Sequence, residues 1–305
     1  MKKLRVALIL ALMALIVALT ACHSDHKRRM SITVGSADTP EQLILGKLTV
    51  LTLETGGYDV IDKTGLGSPW VVRAALEKGS VDIGWNYTGD TWTVYLAHDQ
   101  PISDPVEMYQ AVRKADALNQ ITWLSPAPCQ HTMGLIMRKD AAAEKGLTKI
   151  GKLGHYMRWV DPDFSLCTPR DRYVAAGGIH ALERVYNMSF KEDRVYFMPM
   201  QEGYTAVIRG DCDCAVGFST DIATRFQELM LLQDDLGFFQ ASKLAVAVRT
   251  PVLQELPGLE SRLGMLSELL SQEAMADLSR KVILENKKPE AVAKQFLKAH
   301  DLLTR

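Results

Sequence analysis

Short apolar runs alternate with longer amphipathic ones along most of this 305-residue chain. Residues 31–35 (Ser-Ile-Thr-Val-Gly) read as a strand ending in glycine. Residues 39–55 read as a helix, with Leu43, Leu48 and Leu51 among its apolar positions and Pro40 in its first turn. Gly56 and Gly57 stop it. A second strand over 58–62, a helix over 68–78 opened by Ser68 and Pro69, and a third strand over 81–84 follow. Next come a helix over 105–118 and a strand over 121–124. The same grammar then returns. Strands are predicted over 133–138 and 157–160, a helix over 173–186, a strand over 195–198 and a short helix over 203–209. Strands over 212–218, 229–233 and 244–248 complete the alternation. From Pro251 the pattern is helical to the end, with Pro257 and Pro289 marking helix starts. Strand–helix alternation with short connections predicts an α/β protein with largely parallel sheets. Two such sets followed by helices fit two lobes joined by crossing strands.

The first 22 residues follow another pattern. Lys2, Lys3 and Arg5 precede a run of 14 apolar residues, Val6 to Leu19. Leu19-Thr20-Ala21-Cys22 follows it. Basic, apolar and small-residue segments in that order read as a secretory signal over 1–21. The apolar run is short of the roughly 20 residues that a spanning helix needs. Its last four residues resemble a bacterial lipobox, which makes Cys22 the lipidated N-terminus. Residues 22–30 are then a tether, and their basic stretch His23 to Arg29 suits anionic headgroups. The remaining chain is expected to be extracytoplasmic and lipid-anchored, on the periplasmic side or cell surface of a bacterial membrane.

Charge removes one partner class. The chain carries 35 basic and 36 acidic residues, and loss of Lys2, Lys3 and Arg5 leaves a net of −4. A nucleic-acid surface wants a basic domain or stripe, so none is expected here. With 47% hydrophobic residues the chain can bury a sizeable core. Four cysteines follow Cys22, and an oxidising compartment permits disulfides among them. Cys212 and Cys214 flank Asp213 in a strand-like run, so both are expected on one buried face. A strand holds their side chains parallel, which disfavours a bridge between them. Cys129–Cys167 is geometrically open.

Catalytic constellations are scarce. The sequence has no Gly-x-Ser-x-Gly elbow, no His-Glu-x-x-His and no phosphate loop. Its seven histidines are scattered. No enzyme activity and no cofactor are expected. One local pattern suggests different chemistry. Cys129, His131 and Met133 fall at i, i+2 and i+4, which on a strand would share a face. Thiolate, imidazole and thioether suit copper(I) or zinc. A soft-metal or thiol-active lipoprotein on these residues, with Cys167 nearby, is therefore the alternative reading. An enzyme or sensor on a binding fold is a third, since fold does not fix function.

Three phrases carry a resemblance: Ser36-Ala-Asp-Thr-Pro-Glu-Gln-Leu-Ile-Leu-Gly46, Asp82-Ile-Gly-Trp-Asn-Tyr-Thr-Gly-Asp90 and Gly217-Phe-Ser-Thr-Asp221. Met137-Arg-Lys-Asp140, Gly203-Tyr204 and Asp234-Asp-Leu-Gly-Phe-Phe239 lie between and after them. In order and spacing the set resembles the substrate-binding proteins of quaternary-amine ABC importers, which take glycine betaine, choline or carnitine. The resemblance covers essentially the whole mature chain. It implies a two-lobed periplasmic-binding-protein fold (type II) with a ligand cleft between the lobes. It places lobe I at 31–131 plus 242–305 and lobe II at 132–241. It implies closure around a small cationic solute, docking of a monomer on a membrane permease, and no bond making. A trimethylammonium group has no N–H to donate and is held by aromatic faces, at roughly 0.5–2 kcal/mol per ring. The family's cage tyrosines match Tyr87 and Tyr204, with Trp85, Trp92 and Phe218 beside motif positions. The ligand-binding set implied by the resemblance is Asp38, Thr39, Gln42, Tyr87, Thr88, Asp90, His131, Met133, Arg170, Tyr204, Ser219 and Thr220.

Several positions depart from the family pattern. Met133 stands where a cage tyrosine is usual, and His131 where a polar or acidic neighbour is. Ala37 replaces a lysine and Asp90 a threonine, two positions that help hold a ligand carboxylate in the family. Like charges 4 Å apart repel by about 4 kcal/mol at an effective dielectric of 20. Asp38 and Asp90 therefore predict a choline-like or polyamine-like cation in preference to glycine betaine. Arg170 or Arg172 could supply a carboxylate partner.

Overall fold

The computed structural model describes residues 31–98, 102–175, 177–221 and 226–303. The signal over 1–21, lipidation at Cys22 and the tether to residue 30 lie outside the described residues.

Among the described residues ten strands form two five-stranded sheets. The first contains β1 (Ser31–Gly35), β2 (Asp59–Lys63), β3 (Ile83–Tyr87), β4 (Ile121–Trp123) and β10 (Leu244–Arg249), in the order β2-β1-β3-β10-β4. The second contains β5 (Met133–Arg138), β6 (Leu166–Thr168), β7 (Val195–Phe197), β8 (Cys214–Phe218) and β9 (Leu229–Leu231), in the order β7-β6-β8-β5-β9. Both sheets are mixed. β1 runs parallel to β3, whereas β10 is antiparallel to both β3 and β4. β6 runs parallel to β7 and β8, whereas β5 is antiparallel to β8 and β9.

The first lobe carries α1 (Pro40–Thr55), α2 (Pro69–Glu77) and α3 (Pro105–Asp116). All three begin with proline, whose fixed φ suits a first turn and whose missing N–H costs nothing there. Asp104 caps α3, accepting from the Val106 and Glu107 N–H groups at 2.9 and 2.8 Å. The second lobe carries α4 (Lys139–Glu144), α5 (Ile150–Trp159), α6 (Arg170–Val174), α7 (Ile179–Tyr186) and α8 (Met200–Arg209). The chain closes with α9 (Thr250–Glu255), α10 (Gly258–Glu268), α11 (Gln272–Ile283) and α12 (Pro289–Ala299). The second core gathers Leu135, Met137, Phe164, Leu166 and Val216 from the sheet side with Leu153, Met157 and Leu182 from the helices.

Residues 157–160 belong to α5 and the turn after it, not to a strand. Ile150, Leu153, Gly154 and Met157 are its buried residues, a helical spacing that overrides the short apolar run. The strand in this region is β6. The helix expected over 173–186 is two helices, broken at Gly177-Gly178. A Cβ at Gly178 would lie 2.1 Å from the Arg172 carbonyl oxygen, so the close turn excludes a side chain.

Cysteine pairing also differs from the expectation. Cys167 at β6 is bridged to Cys212 just before β8, with Cα atoms 6.0 Å apart. Cys129 and Cys214 are free and buried. Parallel pairing of β6 with β8 brings Cys167 beside the Cys212–Cys214 strand entry, a proximity that tertiary pairing alone creates.

The chain passes between the sheets after β4 and returns before β10. These two passes run side by side. Gln130 and Lys243 form an antiparallel bridge. The His131 N–H donates to the Ser242 carbonyl at 3.0 Å, and the Leu244 N–H donates to the Cys129 carbonyl at 3.1 Å. Gly89 abuts the return pass, and a Cβ there would lie within 2.9 Å of Gln240, Ala241 and Ser242.

Candidate functional site

The segments that build the site share one topological position. β1 leads into the start of α1, the chain after β2 into the start of α2, and β3 into a helical turn at Thr88–Asp90 and a π-helical turn at Thr91–Tyr95. In the other lobe β7 leads into α8, and β8 into Ser219–Asp221. Ligands of α/β proteins bind beyond the carboxyl ends of strands, where connecting loops and helix starts converge. A cleft of about 560 Å³ opens at that place. Its lining includes Thr39, Glu41, Gln42, Trp70, Tyr87, Asp90, Tyr95, His131, Gln201, Thr220 and Asp221.

Tyr87 and Glu41 form its floor. The Tyr87 hydroxyl donates to Glu41 Oε1 at 2.8 Å. Burial pushes the Glu41 carboxyl above the ordinary carboxylate range; the Tyr87 hydrogen bond opposes this, and nearby Asp221 and Asp90 add to it. Asp90 is also raised by its enclosure, against the pull of His131 and Arg172. Burial pushes His131 down, against the pull of Asp90 and Asp221. No lysine or arginine side chain lines the cleft among the described residues.

His131 spans the lobes. Its ring stacks on Phe218 at 4.2 Å between centroids and sits 4.9 Å from Tyr87. Its Nδ1 is 2.8 Å from Thr220 Oγ1. Tyr204 works from behind this stack. Its side chain is wholly buried, its hydroxyl donates to Asp221 Oδ2 at 2.8 Å, and it accepts from the Phe218 N–H at 3.1 Å. Gly217 permits this, because a Cβ there would sit 2.5 Å from the Tyr204 ring.

The sequence-derived set is therefore divided. Thr39, Gln42, Tyr87, Asp90, His131 and Thr220 line the cleft. Asp38, Thr88, Met133, Arg170, Tyr204 and Ser219 do not. Asp38 is exposed, with its N–H on the Gly67 carbonyl at 3.0 Å. Thr88 accepts from the Lys243 N–H at 3.0 Å, and Ser219 Oγ donates to the Gln130 carbonyl at 3.1 Å. Both thus tie their strand ends to the passes between lobes. Met133 packs against the second core. The Arg170 guanidinium lies 4.0 Å over the Phe197 ring, whereas the charge of Arg172 reaches Asp90. Trp85 lines the cleft but donates its indole N–H to Thr49 in the core at 2.8 Å, and Trp92 stacks on His98 at 3.6 Å.

Sequence reading missed Glu41, Asp221, Trp70, Tyr95 and Gln201. Glu41 and Asp221 lie within the family motifs, directly beside Gln42 and Thr220. Trp70 had a signal of its own, a large apolar residue following Ser68-Pro69 at a helix start.

The soft-metal trio does not assemble as one strand face. β5 begins only at Met133, so Cys129 and His131 lie in the pass before it. Cys129 is fully buried, and burial with neighbouring Glu41 pushes its thiol up to about 12. A thiol held neutral is a poor metal ligand. Among the described residues no three His, Cys, Asp or Glu side chains could together hold a metal.

Residues 30–299 match the substrate-binding domain of ABC-type glycine betaine transport systems. The chain belongs to this family. It is 29% identical to a glycine-betaine-binding protein of Pseudomonas aeruginosa over 90% of this chain and 89% of that one. It is also 29% identical to the carnitine transport binding protein OpuCC of Listeria monocytogenes, over 89% of this chain and 87% of the relative. Among solved structures, apo YehZ from Escherichia coli superposes with a TM-score of 0.78 at 25% identity, over 89% of this chain and 99% of its own. The two-lobed binding-protein fold is thus shown, and the protein is an extracytoplasmic component of ABC import with a membrane permease as partner. Its relatives are transport substrate-binding proteins, not enzymes.

Proposed function

We propose that this protein captures a quaternary-ammonium or related organic cation, prefers cations without a carboxylate, and delivers them by lobe closure. One observation carries the reading. Glu41, Asp90 and Asp221 converge on a cleft lined by no lysine or arginine among the described residues, with Ala37 beside them. The relatives are named for glycine betaine and carnitine, which share a quaternary ammonium and also bear a carboxylate. The acidic lining suits the shared group and opposes the carboxylate. Tyr87 offers a ring face beside Glu41, so cation–π attraction and a carboxylate act on one charge.

Lobe I comprises 31–131 with 242–305, and lobe II comprises 132–241. The paired passes at 129–132 and 242–244 support that division and would serve as the hinge. Closure would bring Gln201 and Asp221 toward Glu41 and Tyr87. The protein acts as a monomer anchored through lipidated Cys22. Replacement of Cys22 by Ser should release it from the membrane fraction.

Calorimetric titration of the lipid-free mature domain with choline, glycine betaine, carnitine and spermidine tests the reading. Tighter binding of choline or spermidine than of betaine is expected. Betaine binding more tightly than both would overturn the ligand preference, with Arg172 as the carboxylate partner to examine. No binding of any of the four would overturn the cation reading itself.

A further inference from the structure

We propose that the cleft carries a second, aromatic subsite at its mouth, built by Trp70 and Tyr95, and that the favoured ligand is an organic cation bearing an aromatic or extended apolar tail. This rests on the cation reading above, because the inner acidic group must hold the charged head.

The cleft has two unlike walls. Glu41, Tyr87, Asp90 and His131 make one polar and ionisable wall. Pro69, Trp70, Val72, Val94 and Tyr95 make the other, which is apolar apart from one phenol. A small trimethylammonium solute seated against Glu41 would leave this second wall uncovered. A cleft of about 560 Å³ falls within the roughly 300–1,000 Å³ that enclose drug-sized ligands.

Trp70 is the unusual residue. It lies in the first turn of α2 and is 58% exposed, although it lines the cleft. Tryptophan and tyrosine suit such half-open positions at recognition surfaces, because each pairs a large apolar face with a polar tip. Its position is defined, because the Trp70 ring meets Tyr95 edge-on at 4.9 Å and 90°. Tyr95 is in turn held from behind. The Arg73 guanidinium lies 5.7 Å from the Tyr95 centroid and is 3% exposed. Asp116 grips Arg73 through two hydrogen bonds of 2.7 and 2.6 Å, and Glu77 accepts from its Nε at 2.6 Å. Arg73 is therefore spent on Asp116, Glu77 and the back of Tyr95. It props the wall and does not compete for the ligand.

The two walls also lie within one ligand's reach. Asp90 ends the helical turn at Thr88–Asp90, Tyr95 ends the π-helical turn that follows it directly, and both line the cleft, so the aromatic wall begins beside the acidic one. A cation whose head sits between Tyr87 and Asp90 can extend an aryl group toward Trp70. Tyr95 belongs to the π-helical turn at Thr91–Tyr95, a geometry frequent at functional sites.

The test is calorimetric titration of the lipid-free mature domain with choline and with benzyltrimethylammonium, on wild type, Trp70→Ala and Trp70→Phe. The aryl cation is expected to bind about tenfold more tightly than choline, equivalent to about 1.4 kcal/mol. Trp70→Ala is expected to erase that preference by weakening benzyltrimethylammonium about tenfold more than choline, while Trp70→Phe keeps most of it. Equal or weaker aryl binding by a wild type that binds choline overturns the subsite and leaves the cation reading standing. Failure to bind either cation overturns both. An equal loss for both ligands in Trp70→Ala makes Trp70 a structural residue and overturns the subsite. Unchanged affinities with lost uptake in cells assign Trp70 to permease docking and overturn it too.

Discussion

The Tyr87 hydroxyl donates to the Glu41 carboxylate at 2.8 Å, joining the end of β3 to the first turn of α1 at the floor of the cleft. That single bond couples an aromatic face to a half-buried acid. It makes Glu41 the natural counter-ion for a bound cation and gives the first prediction.

Glu41→Gln keeps an acceptor for Tyr87 and removes the charge. Opposite charges about 4 Å apart attract by about 4 kcal/mol at an effective dielectric of 20, and part of this is lost to desolvation. Cation affinity should fall by about tenfold or more, with little change in melting temperature. Titration of the variant with choline checks this. An unchanged affinity would remove Glu41 from the site.

Proton linkage gives opposite pH trends for stability and binding. Glu41 and Asp90 are both raised above their ordinary values of 4.5 and 3.8. Between each ordinary value and its raised one, the folded state binds more protons than the unfolded chain. Their contribution is therefore fully present below the ordinary values and is lost as pH rises through the raised ones. A bound cation favours the ionised forms, so affinity should climb over the same interval with release of protons. The stability difference between wild type and Glu41→Gln/Asp90→Asn, followed by urea unfolding from about pH 4 to 8, reads the first trend. Titrations in buffers of different ionisation enthalpy read the second. A binding profile that is flat with pH would sink the linkage.

Arg73 and Asp116 form a buried pair that also engages Trp123, whose indole N–H donates to Asp116 at 2.8 Å. Arg73→Met alone leaves a buried carboxylate without its cation and should destabilise the domain by about 3–5 kcal/mol. Arg73→Met with Asp116→Leu should recover much of that loss. Urea unfolding of both variants measures it, and equal stability of the two would refute the assigned cause.

The Cys167–Cys212 bridge closes a loop with a sequence separation of 45 residues. Chain entropy assigns such a loop about 4 kcal/mol. Cys212→Ser should lower stability by an amount of that order, and Cys129→Ser by far less. Unfolding with and without reductant should reproduce the difference in wild type and in Cys129→Ser, and not in Cys212→Ser.

The α/β grammar was legible because strand and helix periods leave different apolar spacings, as at Ile32 and Val34 in β1 and at Leu45, Leu48 and Leu53 in α1. Residues 157–160 misled because four apolar-rich residues cannot be told from a strand without the spacing of the roughly two helical turns before them. Half of the expected site residues reach the cleft. Thr88 and Ser219 do not, because the backbone groups of Gln130 and Lys243 claim their hydroxyls. Tyr204 faces inward because Gly217 leaves room for its ring.

By itself the sequence determined the alternation of strands and helices, the two-lobed class and the ordered motifs that place the chain in its family. Each depends on residues near one another in the chain or on a pattern repeated along it. Tertiary structure alone decided that Cys167 meets Cys212, that the Tyr87 hydroxyl meets Glu41, and that the Trp70 ring meets Tyr95. Those relations join residues far apart in the chain, and a side chain's neighbours there follow from strand order and crossing geometry, which local periodicity does not encode.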